Sequence, residues 1–287
     1  MSSSEVVFLN PVLILDSHLY PQLVEYKDYR KLYSVYMILF FLCRGLRVKR
    51  KVEITKNSFF ELFSDAITLY ELSAATKKSH IKKTLAKSSV LSINYAIEAA
   101  ANSFLSSIEI TQKLKDQIDR FSSLDKFDYT LQWHKDISLP RGTTQTQIIK
   151  ELIAQRNALV HPKIKIFTDT IETKPGEGKI AYQHQSNINS EQAKSNISGI
   201  SLDPETYTEK DAFIAIKALV DFLNCYVNDW WGIDLETSAL LLLPSWNGSI
   251  QAQSIIYERN SLETVLRHDP ALKIKFIGLH GIFEQFQ

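Results

Sequence analysis

From residue 56 to about 232, apolar residues recur at intervals of three and four, the period of a helix with one buried face. Asn57 stands where it can cap a first helix carrying Phe59, Phe60, Phe63, Ile67 and Tyr70. A second is expected from about Ile81 to Ile110, with Val90, Ile93, Ile97, Ala100, Phe104 and Ile108 on its apolar side. Asn94, Glu98 and Asn102 recur every fourth residue beside that side and form a polar stripe. Leu114, Ile118, Phe121 and Leu124 mark a further helix. Thr144-Gln145-Thr146-Gln147 reads as a capping box opening another, which Pro162 stops. Thr208-Glu209-Lys210-Asp211 reads as a second capping box. It opens a long helix with Ala212, Ile216, Leu219, Leu223, Tyr226 and Trp230 on one stripe, widened by Phe213, Val220 and Val227. Trp230-Trp231 ends it and reads as core packing or an oligomer seam rather than a base-stacking platform.

The flanks break this period. Residues 1–55 form an N-terminal extension in which Val6–Leu9 and Val12–Leu15 could each be a strand or a core helix. Residues 163–207 form a polar insertion. Within it Ile164–Thr168 and Ile180–Tyr182 bracket the turn at Lys174-Pro175-Gly176-Glu177-Gly178 and could pair as a β-hairpin. The rest, through Ser201, is expected to be mobile. Residues 236–287 form a C-terminal extension with one apolar run, Ala239–Leu243. The expected fold is mainly α: a bundle of four to six helices over residues 56–235, with the insertion and small additions at both ends.

Composition narrows the classes. The 287 residues are 45% hydrophobic and 23% charged, enough for a real core. A net charge of +1 gives no global field for a polyanion, so any such site must be local. Cys43 and Cys225 lie in apolar surroundings and read as thiols of a reducing compartment. No secretory leader is evident, and a cytoplasmic protein is expected. The longest apolar run, Leu32–Cys43, is short of the ~20 residues a bilayer needs, so no membrane partner is expected. Arg30, Lys31, Arg44, Arg47, Lys49, Arg50 and Lys51 flank it.

The chemistry concentrates at Arg156-Asn157-Ala158-Leu159-Val160-His161-Pro162. On a helical wheel Ile148, Ile149, Leu152, Ile153, Leu159 and Val160 define an apolar arc, and Arg156 falls near its middle. A guanidinium there needs a partner or a wet cleft, and Glu98 on the polar stripe is the best partner available. Asn157 and His161 lie one turn apart on a shared flank. Arg156 and His161 are about 140° apart. They converge on one ligand only if the last turn relaxes, the arginine wraps round, or a second copy supplies one of them.

These residues resemble the R-x4-6-H motif of the HEPN superfamily. Lys150-Glu151-Leu152-Ile153 and Leu159-Val160 are similar to that family's run into the motif, and the helical order over residues 58–232 fits its layout. The resemblance implies a metal-independent endoribonuclease in which a ribose 2′-hydroxyl attacks the adjacent phosphorus. His161 would be the general acid or base, histidine being the side chain that titrates nearest neutrality. Arg156 would bind the phosphate, Asn157 would orient the phosphate or His161, and Glu98, with Asn102 beside it, would support Arg156. It further implies a homodimer, a toxin–antitoxin or antiviral (phage) defence setting with a partner protein, RNA as substrate, and no cofactor or metal.

Other readings stay open. Arg156 could merely tie helices through Glu98, and His161 could merely bond the last carbonyls of its helix. The chain would then be a non-catalytic dimerisation, interaction or nucleotide-binding module. Asp16-x-His18 reads as a turn, and His80, His134, His184, His268 and His280 lack metal-ligand spacing. The phosphate-loop, dinucleotide and nucleophile-elbow glycine motifs are missing. Lys77, Lys78, Lys82, Lys83 and Lys87 read as a solvated face or, more sharply, as a track for an RNA backbone.

Overall fold

The computed structural model describes residues 52–161, 164, 196–247, 253–255 and 257–279. The two N-terminal apolar segments, Leu32–Cys43 with its basic flanks, Asp16-x-His18, His184, His280 and the hairpin around residues 174–178 lie outside the described residues. The chain divides into two compact units, residues 57–243 with 257–287, and residues 1–56 with 244–256.

The larger unit is helical, and the mainly α expectation holds for it. Its eight α-helices among the described residues are α1 (Phe59–Ala75), α2 (Ser79–Leu105), α3 (Gln112–Ile118), α4 (Ser123–Lys135), α5 (Thr144–Val160), α6 (Glu209–Asn224), α7 (Leu235–Leu242) and α8 (Arg259–Leu272). This exceeds the four to six expected. One surplus helix comes from residues 112–135, where Leu114, Ile118, Phe121 and Leu124 keep one phase across a break. Ser122 makes that break: its hydroxyl accepts the Asp125 N–H and donates to the Asp125 carboxylate, capping α4. Two more lie beyond residue 235, where α7 packs on α2, and α8 packs on α1 and α6.

The long α2 is central, lying against α1, α4 and α6. Val90, Ile93, Ile97, Ala100 and Phe104 on its inner face are fully buried, as their spacing requires. Asn57 accepts the Phe59 N–H at 2.8 Å, and Phe59, Phe60, Phe63 and Ile67 carry α1 into the core. The capping box at Thr208 and Asp211 is formed and starts α6. After Asn224 that helix widens into a π turn, Cys225–Trp231, closed by Gly232 in the left-handed region at φ +69°. The extra residue in the turn rotates the stripe. Trp231, rather than Trp230, is therefore buried against Phe104, their rings 5.4 Å apart edge to face. Tyr226 stacks on Phe104 at 5.2 Å and donates its hydroxyl to the Phe127 carbonyl at 2.9 Å. Cys225 is half-buried, and burial raises its thiol pKa.

The polar insertion is expected to be mobile through Ser201, but residues 196–201 and the segment that follows them are docked. Ile200 and Tyr207 are buried, and Ser201 N–H donates to Asp211 at 2.7 Å. Two apolar side chains in a polar stretch, together with that hydrogen bond, dock it.

The smaller unit's described part is an antiparallel sheet of three strands in the order β1-β2-β3: Glu53–Thr55, Ser245–Asn247 and Gln253–Ile255. Glu53 faces Asn247, and Ser245 faces Ile255.

Candidate functional site

α5 begins one residue earlier than its sequence suggests. Thr143, not Thr144, is the cap: its hydroxyl accepts the Thr146 N–H at 3.4 Å and donates to Pro140 O at 2.9 Å. Gln147 does not reach back to the cap but donates to the Arg141 carbonyl. The Pro140–Thr143 turn sets this register, through Thr143 N–H to Pro140 O at 3.2 Å. α5 then runs to Val160, and His161 ends it with φ −122° and ψ 64°, its N–H donating to Asn157 O at 3.0 Å.

Arg156 meets the partner its place on the wheel calls for. Nη2 donates to Glu98 Oε2 at 3.2 Å and Nη1 to Asn157 Oδ1 at 3.0 Å. The guanidinium carbon lies 5.9 Å from the centre of the Tyr95 ring, at the edge of cation–π range. Arg156 keeps 28% of its side chain exposed and Glu98 46%, so the fork sits at the rim of the core. Among the described residues two of its five N–H groups are used. His161 and Asn157 are exposed. Among the described residues, no hydrogen bond joins Arg156 to His161.

Asn102 stands apart. Its Oδ1 accepts the buried Lys126 ammonium at 2.7 Å, tying α2 to α4 away from the motif. Asn94 points inward and donates to Val90 O at 3.0 Å. The every-fourth-residue stripe thus divides among three jobs. On an ideal helix each four-residue step turns about 40°, so eight residues carry the last member to a different neighbour.

Several contributors are invisible in the motif. Tyr95, one turn before Glu98, is exposed and apolar beside the arginine. Its three-residue spacing from Glu98 is the signal that could have found it. Below the ion pair, Gln155 is buried and accepts the Tyr207 hydroxyl at 3.1 Å. Burial pushes the Tyr207 phenol up to about 12, so it stays a donor at neutral pH. Glu151 accepts the backbone N–H groups of Ile197 at 2.9 Å and Ser198 at 3.0 Å, clasping that strand of chain to α5. Burial raises the Glu151 pKa, but the two amides outweigh it and hold the carboxyl below its usual range.

A groove of about 320 Å³ lies between the start of α4 and one face of α5. Gln147, Lys150, Ala154 and Asn157 line it from α5, and Leu124 and Arg141 from the other side. Arg141 pairs with Asp125 at 2.6 Å and Asp128 at 3.0 Å. The Ser122 hydroxyl, aided by Arg141, holds the Asp125 carboxyl below its usual range; at Asp128 burial pushes the other way, but the Leu139 N–H and Arg141 outweigh it.

The lysines at the start of α2 are partly engaged. Lys82 pairs with Glu209 at 3.3 Å and Lys87 with Glu205, pinning the chain that leads into α6. Ser107 and His134 lie 2.9 Å apart, but the serine proton is committed to Phe104 O at 2.6 Å. The histidine therefore donates and is not a base for that hydroxyl. Burial against Trp231 lowers its pKa. Among the described residues no three His, Cys, Asp or Glu side chains converge as metal ligands, and no helix is long and apolar enough to cross a membrane. The chain matches no family model, no curated protein and no solved structure.

Proposed function

We propose that this chain is a metal-independent endoribonuclease of HEPN type, with Arg156, Asn157 and His161 as its working groups. The observation that carries the reading is the Glu98–Arg156–Asn157 chain of hydrogen bonds, held at a solvent-facing rim with the exposed His161 one turn away. An arginine fixed by a carboxylate on one side keeps its fork oriented, which is what recognition of a phosphate's oxygens needs. The substrate's 2′-hydroxyl attacks the neighbouring phosphorus, its proton passing to a base. The bond from phosphorus to the 5′-oxygen breaks, and that oxygen takes a proton from an acid. His161 serves as one of these proton-transfer groups, and Arg156 stabilises the charge gathering on the non-bridging oxygens.

Val160 and Tyr95 expose 44% and 42% of their surfaces beside the motif, apolar area suited to a second copy of the chain. We assign the active form as a homodimer in the cytoplasm, restrained by a partner protein in a toxin–antitoxin or phage-defence role. The same ion pair also suits a purely structural tie between α2 and α5, which makes a non-catalytic interaction module the rival. Single-stranded RNA incubated with purified protein and EDTA decides between them. Cleavage that His161→Ala removes, with its circular dichroism and melting unchanged, supports the nuclease; a clean protein that never cuts supports the module.

A further inference from the structure

The groove beside α4 is not used by the chemistry above, yet it joins the same helix face. Residues 147, 150, 154, 157 and 161 follow the three- and four-residue steps of one stripe along α5. Gln147, Lys150, Ala154 and Asn157 line the groove, and His161 continues the stripe past its end. Asn157 is the shared residue: it bonds Arg156 and also forms the groove wall.

Resting on the nuclease reading, we infer that this groove is a binding subsite for one nucleotide of a single-stranded RNA, close to the nucleotide whose phosphate is cut. A volume of about 320 Å³ is at the small end of ligand pockets and suits one such unit. Leu124, Ile153 and Ala154 give the groove an apolar lining. Arg141 pairs with Asp125, which also lines the groove, and with Asp128, so these three side chains together carry one negative charge, which Lys150 offsets. Lys150 is the lining cation without a carboxylate partner among the described residues, a point charge for one phosphate.

Among the described residues the two carboxamides are each half used. Gln147 spends its N–H on Arg141 O, and Asn157 spends its oxygen on Arg156. That leaves an acceptor on Gln147 and a donor on Asn157, the pair of opposite polarity that a base edge offers in return. Lys150 lies seven residues before Asn157, about 10 Å along the axis, so a chain held at both ends runs parallel to α5.

The test uses the full chain, a fluorescent 2′-O-methylated oligonucleotide that lacks the attacking hydroxyl, and fluorescence anisotropy, with cleavage of the unmodified RNA followed in parallel. Ala154→Trp fills the groove from an exposed helix position, and Lys150→Glu reverses its free charge. Each should raise the Kd at least about tenfold. If the wild type binds and cuts while both variants bind equally well, the subsite is wrong and the nuclease stands. If the wild type binds without cutting and both variants lose binding, the subsite stands and the catalytic reading falls. A wild type that neither binds the probe nor cuts the RNA overturns both, and one that cuts without binding overturns the subsite alone.

Discussion

Removing the Glu98–Arg156 pair separates a catalytic arginine from a structural one, because the geometry limits what the pair contributes to folding. The closest atoms are 3.2 Å apart, but Glu98 is 46% exposed and Arg156 28% exposed, so water screens the attraction. Two unit charges about 4 Å apart attract by ~1 kcal/mol in bulk water and ~4 kcal/mol at the lower dielectric near a protein surface. Side-chain ordering cancels most of this, and measured exposed pairs are worth about 0.2–1 kcal/mol. The coupling in a double-mutant cycle of Glu98→Gln and Arg156→Gln, read from urea unfolding, is therefore expected near 0.5–1 kcal/mol. The corresponding change in melting temperature is a few degrees, about 2–4 °C per kcal/mol for a domain this large. Cleavage should respond far more strongly, Arg156→Gln losing roughly 100-fold or more, as when a single charge-stabilising donor is removed from an active site. A coupling above about 3 kcal/mol, with cleavage falling only in proportion to the unfolded fraction, would refute this and make Arg156 a helix tie.

Three further outcomes follow from the local structure. Thr143→Ala should destabilise the protein by ~1 kcal/mol in urea unfolding while Thr144→Ala changes it little, because Thr143 carries the cap of α5. Glu151→Gln should speed amide hydrogen exchange at Ile197 and Ser198. In the wild type that clasp is strongest above the carboxyl's ordinary pKa of 4.5. Because folding depresses this pKa, the stabilisation is present above that value and disappears as pH falls through the lower folded value, so acid titration followed by exchange checks the sign. Phe104→Ala should cost about 3–5 kcal/mol, since its fully buried ring packs against Phe127, Tyr226 and Trp231.

What the sequence disclosed was mostly what repeats locally. The apolar spacing of Val90 to Phe104 and the box at Thr208 mark α2 and α6 because both depend on residues within a turn or two. The demand of Arg156 for a partner was equally legible, since a guanidinium in an apolar arc is costly unless met. Glu98, the carboxylate of the Asn94–Glu98–Asn102 stripe, was legible as that partner; that Asn102 turns to Lys126 instead of supporting Arg156 was not, because each member faces a different neighbour once the helices pack. The break at Ser122 hid behind an apolar spacing that continues across it. The π turn that buries Trp231 depends on aromatic packing from α2 and α4, as the docking of Ile200 and Tyr207 depends on α5 and α6. Long-range contacts leave no periodic trace in the chain.

The most direct check places a single 2′-deoxynucleotide immediately 5′ of the cut position in an otherwise unmodified RNA and incubates it with the protein in EDTA. The account predicts that the all-ribose strand yields a product ending in a 2′,3′-cyclic phosphate and that the deoxy strand resists cutting at that position alone. Equal cutting of both strands, or cutting that survives His161→Ala, would contradict it.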